Sequence, residues 1–146
     1  MTSVDDATLA FLDRHRDERV DAITDRLVET IVSVNANYAA SATVTLDDLR
    51  LSCHANVDRV LEILRAAVGQ EGLPDEDDPV YGAARETGRR RAEQGLPLDD
   101  VLRSYRMGGR LIWDDLVEVG DTALDALAVR EIGTRLWEVV DATSAQ

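Results

Sequence analysis

Apolar residues recur at intervals of three and four along almost the whole chain. That is the repeat of a helix with one buried face. Val20, Ile23, Leu27, Ile31 and Val34 step in this way, and so do Leu46, Leu49, Cys53, Val57, Val60 and Leu64. The series Leu98, Val101, Tyr105, Gly108, Ile112 and the series Leu124, Ala128, Ile132, Leu136, Val139 repeat the pattern. No segment alternates with period two over the length of a strand. The chain reads as all-α, in one domain spanning residues 1–146.

Breakers divide the helical pattern. Helices are expected at about 4–15, 17–36, 46–68, 80–94, 98–119 and 122–143. Thr45 followed by Asp48 resembles a capping box at the start of the third. Gly69 ends that helix, and an acidic, proline-containing loop follows from Gln70 to Pro79. Gly95 reads as the residue just past the end of the fourth helix. Leu96-Pro97 turns the chain into the fifth, where Asp99 and Asp100 suit a positive helix N-terminus.

Charge limits the function. There are 16 basic residues, all Arg, against 29 acidic ones, a net charge of −13. Such a surface repels a phosphate backbone, so no nucleic acid is expected to bind this domain. One cysteine, Cys53, excludes an internal disulfide. His15 and His54 are too far apart in sequence to suggest a metal set, and no metal or cofactor is expected. No apolar run reaches membrane-spanning length, and no secretory leader is expected. No membrane association and a cytoplasmic location are therefore expected.

Two helices carry two apolar faces each. In the segment 98–119 the second face is Leu102, Gly109, Trp113 and Val117; in 122–143 it is Val129, Gly133, Trp137 and Val140. Such helices are either central in the core or shared with a partner. A homodimer interface is expected at Leu102, Gly109, Trp113, Val129, Gly133, Trp137 and Val140, where the glycines would let another backbone come close.

Catalytic signals are weak. Cys53 lies on an apolar stripe, as a buried small hydrophobe does. His54 is four residues from Asp58 and reads as its ion-pair partner. His15, among Arg14, Arg16 and Asp17, reads as exposed. No nucleophile arrangement and no phosphate loop is recognisable, so the chain is not expected to be an enzyme.

Residues 85–110 stand apart. Seven Arg against four acids give this segment a local charge of +3. Glu86 with Arg90, Arg89 with Glu93 and Asp99 with Arg103 are spaced for surface pairs. Arg91 instead continues the inward series Tyr81, Ala84, Gly88, and a buried Arg requires a partner. Tyr105 and Arg106 are its expected neighbours across the Gly95–Pro97 turn. Together the three form either a polar network fixing two helices or a site for a small anionic effector, and the network is favoured.

The same segment carries a family resemblance. The run Gly88-Arg89-Arg90-Arg91-Ala92-Glu93-Gln94-Gly95-Leu96-Pro97-Leu98-Asp99-Asp100-Val101-Leu102-Arg103-Ser104-Tyr105-Arg106, followed by Trp113, resembles the N-terminal domain of PucR/CdaR-type transcription regulators. That domain is similar to the N-terminal domain of RsbR-type stressosome proteins. The resemblance implies a six-helix, globin-like fold without haem that dimerises through its last two helices. A helix that would face a haem from the proximal side, about 80–94, has no His, Cys or Met, and His54 falls on the opposite, distal helix. The resemblance further implies a signal-sensing and dimerisation domain of a regulator whose GGDEF-like and helix-turn-helix parts would lie beyond this chain. The alternative is a stressosome-like oligomerisation module with no small ligand.

Overall fold

A computed structural model describes residues 6–34, 38, 44–69, 73–75, 78–120 and 125–145. Among them are five α-helices: α1 (Asp6–Val34), α2 (Leu46–Val68), α3 (Gly82–Glu93), α4 (Leu98–Val119) and α5 (Ala126–Ser144). A one-turn 3-10 helix at Pro79–Tyr81 precedes α3. No strand occurs among the described residues. The all-α expectation holds, and the six-helix globin-like count does not.

The correction comes from α1. The segments expected as separate helices, 4–15 and 17–36, form one helix of 29 residues. Neither Gly nor Pro interrupts it. The polar cluster at His15–Asp17, read as a break, is a set of ties to other helices. Arg16 grips Asp58 of α2 with two hydrogen bonds, and His15 and Arg19 both reach Asp115 of α4. Residues 35–37 and the start of the acidic loop, 70–72, lie outside the described residues, as do 121–124, where the last helix was expected to begin.

The helix ends follow local chemistry. Thr45 Oγ1 accepts a 3.0 Å hydrogen bond from the Asp48 amide, half of the expected capping box. The Asp48 carboxylate is engaged elsewhere. At the end of α3 the Leu96 amide reaches the Arg91 carbonyl and the Gly95 amide reaches the Ala92 carbonyl, with Gly95 at φ +80°. This pair of bonds is a Schellman ending, and it places glycine where the left-handed backbone requires it. Asp125 caps α5 by accepting from the Ala128 amide.

Charged pairs fix the register of α1 on α2. Asp13 meets Arg65, Arg16 meets Asp58, Asp21 meets His54 and Asp25 meets Arg50, so the helices run in opposite directions. Inside this antiparallel pair, Ile23, Leu27 and Ile31 bury their side chains with Val57, Leu61 and Leu64. Ile112, Leu116, Ile132, Leu136 and Val139 complete the core from α4 and α5. Burial of each such side chain contributes about 1.5–3 kcal/mol. Leu46 and Leu98, expected on core stripes, are instead 65% and 70% exposed, each the first residue of its helix.

The glycines on the second faces act inside the chain. A Cβ at Gly109 would come within 2.7 Å of Val140 Cγ2, and one at Gly133 within 3.1 Å of the Trp113 ring. Gly109 and Gly133 therefore let α4 and α5 of the same chain approach closely.

Candidate functional site

Arg91 is 1% exposed, the largest fully buried side chain among the described residues. Its guanidinium donates to Asp48 Oδ2 at 3.0 Å, to Gln94 Oε1 at 2.8 Å and to Ser52 Oγ at 3.0 Å. Gln94 also donates to Asp48, and Arg90 adds a 2.9 Å ion pair to the other carboxylate oxygen. Burial alone would raise the Asp48 carboxyl; the Gln94 hydrogen bond and the Arg91 and Arg90 charges outweigh it and hold the group below its usual range. The expected inward Arg is present, and its partner is an acid of this chain. The network ties the end of α3 to the start of α2.

Of its expected neighbours, one borders the same cavity. That residue, Tyr105, donates to the Ala84 carbonyl at 3.0 Å, clamping α4 to α3. Arg106 is exposed on α4 and borders neither interior cavity. The guanidinium carbon of Arg91 stands 5.9 Å from the centre of the Tyr38 ring, a cation–π contact that the sequence reading missed.

Two small cavities share part of their walls here. One, about 40 Å³, is bordered by Tyr38, Ser52, Cys53, Asn56, Thr87 and Arg91. The other, about 30 Å³, runs along Val57, Val60, Ile112 and Val140 to Thr143. Leu27, Asn56, Ser104 and Tyr105 border both. Each has room for about two or three waters.

Their walls hold polar atoms without partners among the described residues: Arg91 Nε, Asn56 Oδ1 and Thr143 Oγ1. Asn56 is oriented by its own bonds, since its amide nitrogen donates to the Ser52 carbonyl and to Thr87 Oγ1, both at 2.8 Å. The thiol and the phenols nearby are neutral at physiological pH. Burial pushes the Cys53 thiol up to about 12 against the opposing Arg91 charge. Burial, with Tyr38 adding, pushes the Tyr105 phenol up to about 12, and the Tyr38 phenol is raised as well.

A second buried polar group joins α1 to α4. His15, read from sequence as exposed, is 2% exposed, and its Nε2 donates to Asp115 Oδ2 at 2.7 Å. Arg19 holds the same carboxylate through two bonds. Asp115 was not anticipated; it lies among apolar positions, and only its contacts mark it. His54 meets Asp21 at 3.3 Å in place of Asp58, which Arg16 occupies. Arg89 takes both Glu86 and Glu93, and this frees Arg90 for Asp48.

The expected interface residues divide by burial. Gly109 and Val140 are buried between α4 and α5. Leu102, Trp113, Val129 and Gly133 are half-buried, and Trp137 and Val117 are 51% and 41% exposed. Among the described residues no three His, Cys, Asp or Glu side chains are grouped to hold a metal ion, and no helix is long and apolar enough to cross a membrane.

Residues 21–146 match the family model described as the RsbT co-antagonist protein rsbRD N-terminal domain. The chain belongs to that family. The match takes in α2 to α5, the Arg91 network and both cavities, and begins within α1. His15, Arg16 and Arg19 precede it, so the tie to Asp115 joins an RsbRD-type core to a part of α1 outside the matched region. Neither a curated protein nor a solved structure matches the chain.

Proposed function

We propose that this RsbRD-type domain is a non-enzymatic, cytoplasmic regulatory module that acts by assembly, dimerising through the outer face of α4 and α5. The observation that carries this is Trp137, an aromatic residue half in solvent, on the helix whose neighbour presents the exposed Val117. Large aromatic side chains left in water on a paired helix face are typical anchors of protein contacts. The absence of catalysis fits the buried groups. Arg91, Asp48, His15 and Asp115 are spent on one another, and Cys53 stays a thiol.

Light scattering on the purified chain tests the assembly. A dimer at micromolar concentration is expected, and Trp137→Arg is expected to give a folded monomer. Trp137→Arg is the informative variant because the Trp113 ring packs on Gly133 of its own chain. A monomeric wild type at high micromolar concentration rejects the reading.

A finer setting, the sensor domain of a PucR-type transcription regulator, is supported by the run from Gly88 to Arg106 followed by Trp113. It is tested by whether the gene encodes a helix-turn-helix in frame after residue 146. In that setting a small effector bound near Arg91 and Tyr105 would act by altering how α3 and α4 pack.

A further inference from the structure

The two cavities share walls from α1, α2 and α4, and one extends to α3 at Arg91 while the other extends to α5 at Val140. Both walls are mostly apolar, but the one at Arg91 also holds Tyr38, Ser52, Thr87 and Arg91, whereas the other runs along Val57, Val60 and Ile112. Asn56 and Tyr105 stand in the walls of both. We infer that the pair forms one binding site for a short aliphatic molecule with a single hydroxyl head. The regulatory reading above gives such binding its purpose; the binding itself is argued from the cavity.

The head group follows from what the wall lacks. Arg91 Nε is a donor with no acceptor among the described residues, and Asn56 Oδ1 is an acceptor with no donor. The bonds made by the Asn56 amide nitrogen fix which atom is left unpaired. A hydroxyl accepts and donates at once, so it answers both. A carboxylate only accepts, so it would leave Asn56 Oδ1 without a donor and set its charge against that oxygen. An ammonium would face the Arg91 charge.

The tail follows from the second cavity, whose aliphatic walls favour carbon over water. Together the spaces of about 40 and 30 Å³ hold roughly four to six non-hydrogen atoms, which is a three- to five-carbon alcohol. Thr143 Oγ1, at the far end, is the place for a retained water.

The test is a titration of the isotope-labelled chain with 1-butanol and, separately, with butyrate, read by amide resonances. Butanol is expected to shift Asn56, Arg91, Ser104 and Tyr105 saturably, with butyrate at least about tenfold weaker, the factor that about 1.4 kcal/mol represents. Gly108→Ala places a Cβ in the apolar cavity, 3.4 Å from Leu27 Cδ2, at a separation the helix tolerates. It is expected to keep the fold and weaken butanol several-fold. Asn56→Leu is expected to weaken it as well. Shifts that rise linearly and spread over the surface overturn the inference. So do equal affinity for butyrate, unchanged affinity in Gly108→Ala, or a butanol-soaked crystal with only water in both cavities. Saturable binding that leaves the oligomeric state unchanged keeps the site and rejects its regulatory use.

Discussion

His15 and Asp115 lie one hundred positions apart and are joined inside the protein by a 2.7 Å hydrogen bond. Asp115 is 2% exposed and carries Arg19 on its other side. Burial would raise its carboxyl; the bonds from Arg19 and His15 outweigh this and lower it. Because Arg19 already balances the carboxylate, burial dominates at His15 and its pKa is lowered in spite of the hydrogen bond it donates to Asp115. A second proton would sit on Nδ1, which has no acceptor among the described residues.

This relationship sets a pH dependence. The folded state holds His15 neutral, whereas the unfolded chain protonates it near pH 6.5. Stability from this group is therefore complete above that pH and is lost as pH falls below it. The melting temperature should decline between about pH 6.5 and 5, before most carboxylates titrate. His15→Gln should flatten that decline. A melting temperature constant over this range in the wild type contradicts the assignment.

Asp115→Ala leaves Arg19 and His15 without their shared acceptor. Breaking a buried pair in this way costs about 3 kcal/mol. At this chain length that is a fall of roughly 10 °C in melting temperature. Calorimetry of the variant checks it, and a change under roughly 3 °C would show the cluster to be energetically idle.

Arg91→Met is expected to cost about 3 kcal/mol as well, because Asp48 then keeps only Gln94 and the half-exposed Arg90. The losses from Arg91→Met and Asp48→Ala should be less than additive, since both remove one bond. Urea unfolding of the two single variants and the double variant measures the coupling. Full additivity would separate the two residues.

Gly108 and Gly109 are adjacent, and Ala has opposite effects at the two. At Gly108 the new Cβ meets only Leu27, at 3.4 Å, and replacing a mid-helix Gly adds up to about 1 kcal/mol of stability. At Gly109 it meets Val140 Cγ2 at 2.7 Å, and overpacking of this kind costs about 1–3 kcal/mol. Adding Val140→Ala to Gly109→Ala should relieve the overlap. Melts of the three variants decide the matter.

Cys53 should be inert in the folded protein. Its thiol is buried and pushed up to about 12, so little thiolate exists at neutral pH. An aromatic disulfide reagent should label it only as fast as the chain opens, and at full rate in denaturant. Rapid native labelling would place it at an accessible site.

The helix content was legible from apolar spacing alone, because burying one face of a helix imposes a period of three to four wherever the helix lies. Gly95 and Thr45 were legible for a similar reason, since backbone geometry and orphaned amides at a helix end act within a few residues. The inward direction of Arg91 was also local, being set by its place after Tyr81 and Ala84. What local pattern misjudged was the polar run at His15–Asp17. Taken by itself it resembles a solvated break, and only the nearness of Asp58 and Asp115, supplied by distant helices, makes it continuous and partly buried.

The same division governs the candidate site. The sequence determined an all-α chain, a buried Arg that must find a partner, and a Tyr within reach of it. Tertiary structure alone chose Asp48, Ser52 and Gln94 for Arg91 and left Arg106 outside. It turned Gly109 and Gly133 toward their own chain and left Arg91 Nε and Asn56 Oδ1, on residues that border a cavity, without partners among the described residues. The reason is physical. A helical period states which face turns inward, but a partner is selected by distance and angle between helices, and these arise only when all five are packed together.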